Sequence, residues 1–227
     1  MKSMKLSRNW RVRARCENGR CVSVSLDNVP AFVQSLDTPV LTPTWGRITA
    51  YIAYGGVFYA QIDVDRVGLK IIPAHARALA EAVIEIKALL ARQVQVQHPD
   101  IPSMNEIAYV MFRDYQSDGS AITCTTLTPG RVDRSPCGTG SSANLAVLHA
   151  RGTLRVGETR ASHSIIGGTF LAQVSGETTV GDRPAILPRI TGSAWIYGRQ
   201  HLRLCPDDPA QQGFALSDTW GPKVGDL

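Results

Sequence analysis

One stretch sets the terms for the rest of the chain. It reads Asp133-Arg134-Ser135-Pro136-Cys137-Gly138-Thr139-Gly140-Ser141-Ser142-Ala143 and runs into Asn144-Leu145-Ala146-Val147-Leu148-His149-Ala150-Arg151-Gly152. Pro136 biases Ser135 away from α geometry, so no helix begins before it. Gly138 and Gly140 allow a tight turn and the close approach of another group. From about Ser141 the Ala and Leu content favours helix, and Gly152 stands where a C-terminal cap belongs. The stretch predicts a turn, a helix N-terminus, a short buried helix and a stop.

This order puts Cys137 at or just before the first helical turn. N–H groups there lack intrahelical partners and carry the positive end of the helix dipole. Thiols at such positions ionise more readily than free ones, and the same N–H groups bind carboxylate or phosphate. Asp133, just upstream, can hold a cation. A thiolate, an anion cradle and a carboxylate together suit an amino acid whose charged groups flank a carbon near the sulfur. The competing reading is a small buried cysteine beside a structural turn, a common fate of free cysteine.

Around this stretch the pattern predicts strands, one long helix, more strands, the cysteine helix, then strands. Trp10 to Arg15 and Val22 to Leu26 alternate, and Asn18-Gly19 between them is a two-residue hairpin signal. That register sets Glu17 opposite Arg20 and Cys16 opposite Cys21, as reduced cross-strand neighbours able to oxidise. Arg47 to Tyr54 and Val57 to Val64 read as strands broken at Gly55-Gly56. Pro73 suits a first helical turn. Ala74 to Val94 follows as a helix with Leu79, Val83, Ile86 and Leu90 on one face.

Gln97 to Pro102 reads as a loop. Ile107 to Phe112 and Ala121 to Leu127 read as strands joined at Ser117-Asp118-Gly119. Ile165 to Val174 and Ala185 to Tyr197 look extended, and the Pro-, Gly- and Asp-rich tail irregular. The fold class is α+β, a mixed sheet curling around a buried Ala-rich helix.

At 227 residues the chain can bury a real core, as one large domain or two small ones. No apolar run approaches the roughly 20 residues of a membrane span, and the basic N-terminus leads into no apolar signal core. The expected location is the cytoplasm. The net charge is +5, but Lys and Arg are scattered and form no basic patch with interleaved aromatics, which argues against nucleic acid. Five cysteines fit a reducing compartment. Their spacings match no common zinc knuckle, so no metal is expected. Gly138-Thr139-Gly140-Ser141-Ser142-Ala143 formally fits a dinucleotide fingerprint with Glu158 downstream, but the required preceding strand is missing. The histidines take structural readings: His75 and His98 in loops or at the surface, His149 on the buried helix.

The cysteine stretch resembles the second catalytic signature of the proline racemase family, which includes proline racemases, 4-hydroxyproline 2-epimerases and trans-3-hydroxyproline dehydratases. The likeness takes in Asn28-Val29-Pro30-Ala31-Phe32, Ala53 to Ala60, Ser164-Ile165-Ile166-Gly167 and Pro206-Asp207-Asp208-Pro209. It implies a diaminopimelate-epimerase-like fold of two α/β halves facing across a cleft, each with a catalytic loop at a helix start. Residues 31–190 correspond to the second half, 1–30 to a remnant of the first, and 191–227 to a segment returning to the first. The resemblance gives Cys137 the role of acid/base, Asp133 that of ammonium ligand, and the N–H groups of Gly138 and Thr139 that of carboxylate ligands. The substrate would be proline or a hydroxyproline, and neither metal nor pyridoxal cofactor takes part.

Cys137 resembles the racemases and epimerases. Val57 and the Leu216-Ser217-Asp218-Thr219-Trp220 ending lean towards a dehydratase group that keeps this cysteine. His163, Gly168, Ala172 and Asn144 depart from the family's usual Glu, Ser, Gly and Arg. The family's earlier signature, Met-Cys-Gly-His or its serine variant, does not occur in the sequence. The chain is therefore expected to be an N-terminally truncated member. Inversion needs an acid and a base on opposite faces of the α-carbon, and Cys137 is one of the two. The open explanations are a start codon placed too late, a complementing partner chain, and a truncated, catalytically incomplete protein that binds a small anion. Apolar surface and strand edges left open by a missing half favour aggregation or a homodimer.

Overall fold

A computed structural model describes residues 11–127 and 130–213. Trp10, the expected start of the first strand, and the Leu216 to Trp220 ending lie outside the described residues. The chain divides into two compact units, one running to Ser193 and one from Ala194. In the second, residues 194–213 carry no helix or strand.

The first unit opens with the hairpin β1 (Arg11–Glu17) and β2 (Arg20–Asp27). Asn18 and Gly19 both take positive φ, 49° and 74°, as a type I′ turn requires. Cys16 faces Cys21 and Glu17 faces Arg20, as expected, and both cysteines are free and exposed. Nine further strands follow: β3 (Ala31–Thr42), β4 (Gly46–Tyr54), β5 (Phe58–Asp63), β6 (Ile107–Tyr115), β7 (Ala121–Leu127), β8 (Arg131–Val132), β9 (Thr159–Ser164), β10 (Thr169–Val180) and β11 (Arg183–Gly192).

Eight of them close into a ring in the order β3-β4-β5-β6-β7-β9-β10-β11, sealed where Phe32 and Ala31 of β3 meet Ala185 and Ile186 of β11. The β5–β6 and β7–β9 pairs are parallel and the rest of the ring is antiparallel. This is the mixed sheet of an α+β fold.

Helix α1 (Ala76–Gln93) follows a 3-10 turn at Pro73–His75 and crosses over between the parallel strands β5 and β6. Its Leu79, Val83, Ile86 and Leu90 are all buried, against Ile48, Ile62 and Phe112 of one sheet face. Helix α2 (Gly138–Ala150) packs on the opposite face, where Ala53, Tyr59 and Met111 meet Ala143 and Val147. Alternate residues of β4 to β6 thus serve two cores, the pattern of a strand covered on both sides.

Every residue of α2 from Gly140 to Val147 is buried. A helix with no solvent face belongs inside a core, and α2 touches β3, β4, β5, β10 and β11 around the ring. Gly152 ends it as expected: at φ 69° its N–H bonds the His149 carbonyl, and the Thr153 N–H bonds Leu148. His149 latches this end, with Nδ1 2.9 Å from the Leu154 carbonyl and Nε2 3.0 Å from Glu177 Oε1.

A buried polar cluster orients the helix. Arg113, 3% exposed, donates to Asp63 Oδ1 at 2.7 Å, to Gln61 Oε1 and to Asn144 Oδ1, while Tyr115 Oη donates to the same Asn144 oxygen.

Several expectations change. The twelve-residue β3 is not apparent from the pattern, because Asp37 (φ 53°) and two register breaks spoil its alternation. Its Pro39 is tolerated because β3 has only β4 as neighbour there. Gln93 at the end of α1 closes that open edge, exchanging hydrogen bonds with Leu41. The strand expected over Ile165 to Val174 begins only at Thr169, as β10, because residues 165–168 form the turn, with Gly167 at φ 82°, that joins β9 to β10. The strand expected over Ala185 to Tyr197 ends at Gly192. His98 is a loop residue but only 2% exposed. Its ring meets Tyr54 edge-on at 4.6 Å, and its Nδ1 accepts the Asp100 N–H. No helix of the described residues is long and apolar enough to cross a membrane.

The hairpin joins the ring along β2–β11, and Asp27 is the clamp. It accepts from Arg189 Nε at 2.6 Å and from Arg13 at 3.0 Å, and the Arg189 hydrogen bond holds its carboxyl below the usual carboxylate range. The depressed value means this stability is present above about pH 4 and is lost as pH falls through the folded-state value. Asp27→Asn is expected to destabilise the neutral protein by about 1 kcal/mol and to flatten the acid limb of denaturant-unfolding curves. An unchanged acid limb would show the clamp contributes nothing.

Candidate active site

Cys137 is the N-cap of α2, with φ 62° and ψ 105°. A non-glycine residue there costs on the order of 1–3 kcal/mol and persists only where its surroundings impose it. Here they do. The Cys137 N–H donates to Ser135 Oγ at 3.1 Å, and its carbonyl accepts the Ser141 N–H at 2.8 Å. The Pro136 carbonyl is gripped by Thr123 Oγ1 of β7 and by Ser141 Oγ of α2. Asp133 Oδ1 accepts the Ser135 N–H at 2.8 Å, and the Asp133 N–H bonds the Thr125 carbonyl. The loop is thus pinned to a strand on one side and to its own helix on the other.

The helix starts three residues earlier than the Ala and Leu content suggests, at Gly138. The N–H groups of Gly138, Thr139 and Gly140 therefore occupy the first turn, where an α-helix supplies no acceptor. A Cβ added at Gly138 would meet nothing within 4 Å, so this side of the turn is open. Gly140 is the reverse case: a Cβ there would come within 2.8 Å of Met111 Sδ and 3.1 Å of Cys137 Sγ. The missing side chain lets Met111, Tyr59 and the sulfur pack together.

Tyr59 on β5 puts Oη 3.2 Å from Cys137 Sγ and 2.7 Å from Thr139 Oγ1. Its ring lies 5.6 Å from that of Tyr109. Burial, and next the neighbouring Cys137, drive the Tyr59 phenol far above its ordinary value, so it stays protonated. Cys124 on the other face of the sheet is a contrast. Burial pushes its thiol up to about 12, which makes it a poor nucleophile. Alkylation of the folded protein around neutral pH is expected to label Cys16, Cys21 and Cys205, all exposed, and to spare Cys124 until denaturant is added. Early labelling of Cys124 on peptide mapping would contradict its place in the core.

The Gly55-Gly56 turn between β4 and β5 presses on the first turns of α2. A Cβ at Gly55 would lie 2.2 Å from the Thr139 carbonyl oxygen and 2.6 Å from the Ala143 nitrogen. Asn28 ties three segments together, donating to the Gly55 carbonyl at 3.2 Å and to Ser142 Oγ at 2.8 Å.

Of the residues singled out in the sequence, Cys137, Gly138 and Thr139 gather at the helix start, and Asp133 braces the approaching loop. Tyr59, Ser135, Thr123 and Asn28 were not legible as site residues. The available signal for Tyr59 was its phase: it alternates with Phe58 and Ala60, which face the other core.

The proline racemase family model matches residues 9–215. The chain is 52% identical over 217 residues to 4-hydroxyproline 2-epimerase 1 of Rhizobium rhizogenes strain K84, covering 96% of this chain and 63% of that protein. It is 50% identical to the 4-hydroxyproline 2-epimerase of Agrobacterium fabrum strain C58, covering 94% and 62%. Among solved structures, a probable proline racemase from Agrobacterium radiobacter K84 with bound carbonate is 51% identical, with a TM-score of 0.83, covering 96% of this chain and 64% of that one. A hydroxyproline epimerase from Agrobacterium vitis with bound trans-4-hydroxy-L-proline is 50% identical, also at 0.83, covering 94% and 62%. The chain thus spans less than two thirds of the length of each of these relatives. With the cysteine loop seated at the start of a buried helix and the match running nearly end to end, this chain belongs to the proline racemase family.

Proposed function

We propose that this chain supplies one face of a cofactor-independent site that epimerises or racemises proline or a hydroxyproline, with trans-4-hydroxy-L-proline the preferred candidate. The observation that carries this reading is the Cys137 thiol, fixed in a left-handed backbone at the first turn of α2, beside N–H groups that the helix leaves without acceptors.

In this mechanism the substrate carboxylate sits on the N–H groups of Gly138 and Thr139, at the positive end of the helix dipole. Asp133 takes the ammonium. One of its lone pairs is used by Ser135, and a carboxylate has about four such sites, so capacity remains. The Cys137 thiolate removes the α-proton: the C–H bond breaks, the S–H bond forms, and the electron pair moves onto the carboxylate. The helix N–H groups then stabilise the growing charge. Inversion requires reprotonation from the other face. By the family resemblance that acid belongs to the half with the Met-Cys-Gly-His signature, and the grouping of 1–30 and 191–227 with that half is part of this proposal. A cytoplasmic location fits the free cysteines. The dehydratase alternative raised by Val57 is not favoured, since the relatives described above are named as epimerases or a racemase and none as a dehydratase.

The test is proton NMR in D2O with trans-4-hydroxy-L-proline. Loss of the α-proton signal is expected. Exchange without a new epimer would mean that Cys137 works from one face alone, and exchange with inversion that a second acid is at hand. No exchange, with the substrate still bound by calorimetry, would leave a binding protein and end the catalytic reading.

A further inference from the structure

Three hydroxyl and thiol groups around the sulfur form a connected set: Thr139 Oγ1 to Tyr59 Oη at 2.7 Å, and Tyr59 Oη to Cys137 Sγ at 3.2 Å. Thr139 Oγ1 itself is 3.8 Å from the sulfur. Tyr59 is 1% exposed and Cys137 8%, so water has little access to the phenol. In that environment an unpaired hydroxyl or charge is costly, and the direction of each hydrogen bond must follow the state of the sulfur.

We infer that Tyr59 is a positioning residue for Cys137, donating its hydroxyl proton to the thiolate and turning it towards Thr139 when the sulfur is protonated. This rests on the acid/base role proposed for Cys137. With a thiolate, the sulfur only accepts, so Tyr59 donates to it and Thr139 donates to Tyr59. With a thiol, S–H donates to Tyr59 Oη, and Tyr59 donates to Thr139 Oγ1. A hydroxyl is both donor and acceptor, so in either state the Tyr59 hydroxyl donates once and accepts once without any heavy atom moving. Nothing is oxidised or reduced, and no proton leaves the set except the one that Cys137 exchanges.

The geometry also explains Gly140. Any side chain there would displace Tyr59, Met111 or the sulfur and break the set. The phenol keeps its proton throughout, because its burial disfavours the phenolate.

The experiment is a pH titration of thiolate absorbance in the far ultraviolet, with the Cys137→Ser protein as blank so that the other four cysteines cancel. Tyr59→Phe removes only the hydroxyl. It is expected to move the Cys137 transition to higher pH by about one unit, a tenfold smaller thiolate fraction below the transition, equivalent to about 1.4 kcal/mol. Thr139→Val, which removes the second hydroxyl, should shift it in the same direction by less. A purely structural role for Tyr59 would lower the melting temperature and leave the transition in place. Superimposable titrations of the wild type and both variants would overturn the inference. The titration needs no turnover, so it stands apart from the exchange assay: exchange lost with the shift intact would fault the proposed reaction, and exchange intact without the shift would fault Tyr59.

Discussion

Cys137→Ser is expected to cut α-proton exchange on trans-4-hydroxy-L-proline by about a thousandfold, within the range that a positioned acid/base group contributes, while leaving the fold intact. The serine hydroxyl occupies the same space but is far less acidic than a thiol, so it cannot hold the negative charge the first step requires. The backbone at 137 is imposed by Ser135, Ser141 and Thr123 through main-chain groups, and none of these bonds uses the sulfur. The melting temperature should therefore change little. The pair of measurements, deuterium incorporation by NMR and thermal unfolding, separates chemistry from folding. Exchange at the wild-type rate in a folded Cys137→Ser protein would remove the thiol from the mechanism.

Gly55→Ala is expected to be the most damaging glycine-to-alanine change among the described residues. Its Cβ would stand 2.2 Å from the Thr139 carbonyl oxygen and 2.6 Å from the Ala143 nitrogen, both backbone atoms of α2 that cannot rotate away. Overpacking a core typically costs about 1–3 kcal/mol, and a clash with helix backbone belongs at the upper end, so a loss of about 3 kcal/mol is expected in denaturant unfolding. The helix start would shift, and exchange activity would fall with it. Gly138→Ala is the control: a Cβ there meets nothing within 4 Å, and stability should change by less than about 0.5 kcal/mol. Equal effects of the two substitutions would mean that the fit of the Gly55 turn against α2 is not what fixes the helix start.

Local chemistry was legible wherever it was local in cause. Asn18-Gly19 dictated its own turn and hence the facing of Cys16 and Cys21, because a two-residue loop fixes the register by itself. Pro73 and the spacing of Leu79, Val83, Ile86 and Leu90 defined α1, because one apolar stripe at helical period has one solution. The loop from Asp133 through Gly138 announced a cysteine at a helix start.

What stayed hidden has one shared cause: it depends on partners distant in sequence. Strand β3 holds together through β4, Gln93 and two residues of β11, despite Pro39 and a left-handed Asp37, so its own residues give no clean period. His98 looks like a loop histidine until the rings of Phe32 and Tyr54 close over it.

The sequence by itself therefore determined the α+β class, the cysteine loop and its helix, the Asn18-Gly19 hairpin and the family likeness, because each rests on short-range backbone preferences or a contiguous motif. Only the tertiary structure decided that the sheet closes through β3 and β11, that Gly55 must lack a side chain for α2 to seat, and that Tyr59, 78 positions away, reaches the sulfur of Cys137. Those facts are set by which surfaces meet when the ring closes around α2, and no local preference encodes them.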